Sequence, residues 1–180
     1  KEAELYINYI SEGQEVKDNK FMCKTLKEVN AGSTFLNDWV YEQTKDLLDA
    51  GKLVGLLGGD HSTPLGFYKA IAEKHGDFGI LQIDAHCDLR KAYENFNYSH
   101  ASIMYNSLEE IPQLKKLVQM GVRDYCEEEW DYITTTIVQV TIYNGPIYFY
   151  NIVKIDPTDL WLQDNNVRGK PVLRKFVPAR

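Results

Sequence analysis

The chain has few cysteines and no pattern among them. Cys23, Cys87 and Cys126 are odd in number and unevenly spaced, which argues against a disulfide framework and for reduced thiols. No apolar stretch reaches the roughly 18 residues needed to span a membrane, so no membrane partner is expected. A basic excess is also lacking: 20 Lys and Arg face 26 Asp and Glu, a net charge of -6, which argues against a general nucleic-acid binder. No internal repeat is present. The N-terminus, Lys1-Glu2-Ala3-Glu4-Leu5-Tyr6, is acidic and amphipathic and unlike a signal peptide. No Met opens it, in keeping with processing or truncation upstream. What is there is ordinary globular composition: 180 residues, 44% hydrophobic and 26% charged, enough for one domain or one domain with an appendage. A cytoplasmic location is the expectation.

The periodicity predicts an α/β chain. Leu5, Tyr6, Tyr9 and Ile10 have helical spacing. Ser33-Thr34 precede a long helical pattern from Phe35 to Leu48, which Gly51 ends. The short apolar run Leu53–Leu57 reads as a strand buried on both faces, turned at Gly58-Gly59. A helix over 64–74 and a second buried strand over 78–83 complete a βαβ unit. Leu108 to Leu117 reads as a helix interrupted by Pro112, followed by a strand at 118–122 and a helix or loop from Glu127. Beyond Ile133 the pattern changes. Thr134 to Tyr143 and Pro146 to Ile155 are β-rich and flank Asn144-Gly145, a hairpin signal that Pro146 weakens. Arg168 to Arg180 carries five basic residues and no acidic one, and reads as a solvated tail. The expected division is a 1–133 α/β core and a 134–180 β-rich appendage.

The chemistry gathers at two strand ends. Asp84-Ala85-His86-Cys87-Asp88 lies 23 residues after His61 of Gly58-Gly59-Asp60-His61-Ser62. In an extended strand, residues two apart face the same way, so Asp84, His86 and Asp88 are expected to aim at one point. Carboxylate and imidazole together suit Mn²⁺, with Zn²⁺, Co²⁺ or Ni²⁺ as competitors. A carboxylate can bridge two ions, and a pair of ions can lower the pKa of a shared water. Cys87 is expected to face the opposite way, into the core. His75 reads as an exposed residue at a helix end, favoured there by the helix dipole.

These motifs, with Ser99-His100-Ala101-Ser102 and Gly121-Val122-Arg123-Asp124, resemble the ureohydrolases: arginase, agmatinase, formimidoylglutamase and their relatives. The resemblance covers about residues 20–133 and is nearest to bacterial agmatinase-like proteins. It implies a three-layer α/β/α fold with a central, mainly parallel sheet. It implies two Mn²⁺ ions, and hydrolysis of a guanidino or formimino small molecule in arginine or polyamine metabolism by metal-activated water. His61 would hold the first metal and His86 the second, with Asp84 and Asp88 shared. His100 would shuttle protons or orient substrate, and Asp88 would serve both metal and catalysis. Relatives commonly assemble as trimers or hexamers, so the resemblance leaves a homo-oligomer open. Arg90 either points away, forms a structural ion pair, or grips an anionic substrate tail. The family also uses a second aspartate pair in an Asp-x-Asp context, and this chain has no Asp-x-Asp. The alternative is therefore a non-catalytic or truncated ureohydrolase fragment with an incomplete metal site.

Overall fold

The computed structural model describes residues 1–136, 138–142, 150–155, 160–164 and 172–176. The chain divides into two compact units, Lys1–Tyr143 and Asn144–Arg180. None of the described helices is long and apolar enough to cross a membrane.

The first unit opens with helix α1 (Glu2–Ser11) and the long helix α2 (Lys20–Asp49). Asn19 caps α2: its side-chain oxygen accepts from the Phe21 and Met22 amides, at 3.0 and 3.2 Å. The sequence suggested a helix start near Ser33-Thr34, but α2 runs straight through them. Both hydroxyls donate back to carbonyls four residues earlier, on Val29 and Asn30, and so cap nothing. At the far end the amides of Gly51 and Lys52 bond the Leu48 and Leu47 carbonyls, a Schellman closure.

Helix α3 (Pro64–His75) leads to strand β1 (Phe78–Ile83). Helix α4 (Ile103–Glu110), strand β2 (Leu114–Val122), helix α5 (Glu127–Thr135) and strand β3 (Val138–Ile142) follow. The helix expected over 108–117 starts earlier and stops before Pro112, which has no amide to continue it. The three strands form a parallel sheet of order β1-β2-β3, with α4 and α5 as crossovers. Val138–Ile142, expected in an appendage beginning at 134, is the third strand of this sheet. The core joins Leu65 from α3, Ile103 and Met104 from α4, Leu117 and Val122 from β2, and Val138.

Leu53–Leu57 is not a strand. Its residues have no ladder partner among the described ones, β1 pairs only with β2, and Leu53 and Leu57 are almost fully exposed. An apolar run becomes a strand only when a neighbour takes up its backbone hydrogen bonds. The expected βαβ unit around α3 therefore gives way to β1-α4-β2 and β2-α5-β3.

The second unit contains strands β4 (Tyr150–Ile155), β5 (Leu160–Asp164) and β6 (Val172–Phe176) in an antiparallel sheet of order β4-β5-β6. Tyr150 stands opposite Asp164, and Leu160 opposite Phe176. β6 falls within the stretch read as a solvated tail. β3 and β4 belong to different sheets, so the runs flanking Asn144-Gly145 do not pair with each other among the described residues. The Asn144-Gly145 turn itself lies outside those residues.

Candidate metal centre

β1 ends at Ile83 and delivers Asp84 to the carboxyl end of the sheet, where α/β proteins build their sites. The end of β2 supports it. The Asp84 amide donates to the Met120 carbonyl at 3.0 Å, and the Arg123 and Asp124 amides both donate to the Ala85 carbonyl. Gly121 lies between them at φ +90°, where a Cβ would come within 3.3 Å of the Asp84 carbonyl. Only glycine suits that backbone and that approach.

After Asp84 the chain turns. Asp88 has φ +53°, the left-handed region that Asp tolerates better than most residues. Strand alternation is therefore not what gathers the ligands. A clamped loop does it instead: the Asp88 carbonyl accepts from the Met104 amide at 3.0 Å, and the Arg90 amide bonds the Ala101 carbonyl at 3.0 Å. Glu129, buried at the start of α5, accepts from the Leu89 amide at 3.0 Å and the Cys126 amide at 2.9 Å.

His61 arrives from the turn before α3. The Asp60 carboxylate shapes that turn by accepting from the Ser62 amide and hydroxyl, at 2.8 and 2.6 Å. Burial opposes the charge on Asp60, but the Ser62 bonds and the nearby imidazoles His100 and His61 hold its carboxyl below the usual range.

His61, Asp84 and Asp88 each place one donor atom within 4.8 Å of the others. His61 Nδ1 is 2.6 Å from Asp88 Oδ2 and 3.3 Å from Asp84 Oδ2. The Asp88 hydrogen bond raises the His61 pKa. Burial works against that rise, and the charges of Asp88, Asp84 and Asp60 add to it. The donor set fits a divalent ion: one imidazole and two carboxylates suit Mn²⁺ and its borderline competitors.

His86 lies outside this triad and is more than half exposed. Its Nδ1 is 3.4 Å from Asp84 Oδ1, so the Asp84 carboxylate stands between two imidazoles, one oxygen towards each. His86 Nε2 is 4.0 Å from Asp124. His100 is in a 3-10 turn (His100–Ser102), its ring edge-on to Tyr93 at 6.0 Å between centroids. Arg90 lies beside Glu129, Nε to Oε2 3.6 Å, with its guanidinium 5.0 Å from the centre of the Tyr93 ring. Next to His61 is an open cavity of about 400 Å³ whose lining includes Asp60, Phe67 and Tyr68.

Cys87 is fully buried, and burial, with Glu129 and Asp88 nearby, pushes its thiol up to about 12. It should not react with a disulfide reagent at pH 8 in the folded protein, and should react once urea unfolds the chain. Rapid labelling of Cys87 in the native state, read by peptide mass mapping, would contradict this placement.

Sequence reasoning missed three polar residues behind the ligands: Glu129, Gln82 and Gln119. Glu129 has a local signal in the Cys126-x-x-Glu129 spacing of a capping box. The glutamines' only signal is that each stands among apolar neighbours, in Ile80-Leu81-Gln82-Ile83 and Leu117-Val118-Gln119-Met120.

The Arginase family model matches residues 8–145. An agmatinase from Bacillus anthracis is 35% identical over 95 residues, covering 53% of this chain and 32% of that protein. The N(1)-aminopropylagmatine ureohydrolase of Thermus thermophilus is 44% identical over 85 residues, covering 47% of this chain and 28% of the relative. Among solved structures, the arginase from Medicago truncatula superposes with a TM-score of 0.57 at 32% identity, covering 61% of this chain and 35% of that one. The chain spans about a third of the length of the curated relatives it matches. A family match over well more than half of its residues, on an α/β fold, shows that the chain belongs to the arginase family.

Proposed function

We propose that this chain carries the metal-binding part of a ureohydrolase that cleaves linear guanidines or amidines, agmatinase- or arginase-like, with Mn²⁺ as its ion. The observation that carries the reading is the His61-Asp84-Asp88 triad at the carboxyl end of β1, in a chain of this family. A bound divalent ion supplies Lewis acidity and acidifies coordinated water. The chain's own residues do the rest. His61, Asp84 and Asp88 hold the ion. His86 is assigned to a second ion because Asp84 already stands between it and His61. His100 is assigned to proton transfer to the leaving amine. Arg90 we read as the ion-pair partner of Glu129, which fixes the loop and keeps a cation away from a cationic substrate. The cavity beside His61 is assigned to a guanidino or formimino small molecule, whose positive charge the Asp60 carboxylate favours. Three free cysteines fit a cytoplasmic setting.

The second reading is a non-catalytic or truncated ureohydrolase fragment. The three-donor cluster and the absence of any Asp-x-Asp favour it.

The test is Mn²⁺ titration of the metal-stripped chain by calorimetry, followed by urea release from agmatine, arginine and guanidinobutyrate. Two ions at micromolar affinity with turnover would establish the enzyme. One weak ion without turnover would establish the fragment, and no binding would overturn the metal reading. The pH dependence has a definite sign. The raised His61 value stabilises metal-free protein fully below about pH 6.5, its unfolded value, and this stabilisation is lost as pH rises through the folded value. Mn²⁺ needs the deprotonated imidazole, so affinity should fall as pH drops through that same folded value, with proton release on binding. Equal binding enthalpies in buffers of different ionisation enthalpy would contradict this.

A further inference from the structure

Two buried glutamines lie directly behind the Asp88 carboxylate. Gln82 on β1 and Gln119 on β2 are register partners on adjacent parallel strands, and are 5% and 0% exposed. Gln82 Nε2 donates to Asp88 Oδ2 at 3.3 Å and to the His86 carbonyl at 3.4 Å. Gln119 Nε2 donates to Gln82 Oε1 at 2.5 Å and to the Cys87 carbonyl at 2.6 Å. The direction of this chain is not free. The His86 and Cys87 carbonyls can only accept, so both amide nitrogens must face them. Gln82 Oε1 must then face Gln119, and Gln82 is left donating towards Asp88.

That direction has a visible cost. Gln119 Oε1 is buried and has no hydrogen-bond partner among the described residues. An unpaired buried acceptor destabilises a fold. A methionine at 119 would fill much the same space and remove that orphan, but would leave the Cys87 carbonyl and Gln82 Oε1 without their donor. Space filling alone gives no reason for glutamine at either position; the polar groups of the Asp84–Asp88 loop do.

We infer that Gln119 and Gln82 form a buried amide relay that positions the Asp88 carboxylate for a divalent cation; the inference rests on the metal reading above. The backbone of Asp88 is already clamped by the Met104 amide and, one residue on, by Glu129. The remaining freedom is rotation of the carboxylate, which the Gln82 donor restrains together with His61 Nδ1 on the same oxygen. A neutral amide does this without placing a positive charge beside the cation, as Lys or Arg would. The two amides act in series: Gln119 holds Gln82, and Gln82 holds Asp88. Both are positioning residues, since neither is among the clustered donor atoms.

The experiment compares the full chain with Gln82→Met, Gln119→Met and the double variant, using Mn²⁺ alone as the probe. Affinity is read by calorimetry and by the electron paramagnetic resonance of bound Mn²⁺. Stability of the metal-free proteins is read by urea unfolding. Each single variant should bind Mn²⁺ about 10- to 100-fold more weakly, the range for losing a group that orients a ligand. The double variant should lose no more than the worse single one, because the groups act in series. Gln119→Met exchanges one orphan acceptor for two, the Cys87 carbonyl and Gln82 Oε1, so it should unfold at a somewhat lower urea concentration, and its affinity is compared with wild type at equal fraction folded. Unchanged affinity in both single variants would overturn the relay. So would affinity losses that only track losses of stability, the signature of a purely structural role. If wild type binds no Mn²⁺, the metal reading fails, and the relay is judged on metal-free protein by exchange of the Gln82 side-chain amide protons. Slow exchange in wild type that becomes fast in Gln119→Met upholds the amide hold on Asp88. Fast exchange in wild type overturns it.

Discussion

Asp88→Asn is expected to weaken Mn²⁺ binding by more than about a hundredfold while leaving the fold intact. Asp88 is 6% exposed and touches His61 at 2.6 Å, so it contributes both a charge and a fixed position to the triad. Losing a group that merely orients a ligand costs about 10- to 100-fold in affinity, and losing a charged ligand should exceed that. Asparagine is the informative replacement because Asp88 sits at φ +53°, a conformation Asn adopts readily. Alanine would add backbone strain of about 1–2 kcal/mol and blur the result. His61 should also lose its main cause of elevation and titrate nearer the usual histidine value. Added Mn²⁺ at about 100 times Kd should stabilise wild type by about 2.7 kcal/mol and the variant hardly at all. His75→Ala, at the exposed end of α3, is the control and should bind as wild type does. Asp88→Asn binding with wild-type affinity would remove Asp88 from the ligand set.

Gly66→Ala should destabilise the protein by about 3 kcal/mol, the upper end of what overpacking usually costs. Gly66 is where α3 crosses α2, and it is buried. A Cβ there would overlap the Asn37 carbonyl oxygen and stand 2.7 Å from the Tyr41 amide, both backbone atoms of α2. Neither can swing aside as a side chain could, so the helices must separate. His61 is on the turn that enters α3, so the same displacement should carry it away from Asp88 and weaken Mn²⁺ binding too. Gly32→Ala is the contrast. Gly32 is an exposed residue within α2 with nothing within 4 Å of a new Cβ. It should stabilise the protein by about 1 kcal/mol through helix propensity alone. Urea unfolding of the two variants should move in opposite directions. Destabilisation by Gly66→Ala of only a few tenths of a kcal/mol would mean that the helices cross elsewhere.

Much of the α/β reading was legible because its signals are local. The strand at 78–83 and the helix at 64–75 follow from apolar runs, Pro64 at a helix start and Gly76 at its end. The errors share one cause. Ser33-Thr34 looked like a cap, but whether a hydroxyl caps or bonds back depends on where the helix already begins, and Asn19 had set that. Leu53–Leu57 has the composition of a buried strand, yet a strand exists only beside a partner, and β1 takes its hydrogen bonds from β2. Asp84, His86 and Asp88 were expected to align by strand alternation. The chain leaves the strand at Ile83 and a turn brings only Asp84 and Asp88 together, with Asp88 inward and His86 towards solvent.

By itself the sequence determined the family and the residue types that gather at the candidate site. His61, Asp84 and Asp88 stand in short motifs whose residue types suit a divalent cation, and those motifs survive any error in the surrounding elements. Only the tertiary structure decided which donors actually meet, and what stands behind them. Glu129, Gln82 and Gln119 come from three different elements, and the bonds they make to the loop after β1 span from 4 to 40 residues of chain. No local pattern records such pairings, because a hydrogen bond between distant residues forms only after the strands and helices have packed. The direction of the amide relay is the furthest such consequence: carbonyls that can only accept dictate it, and folding alone brings them within reach.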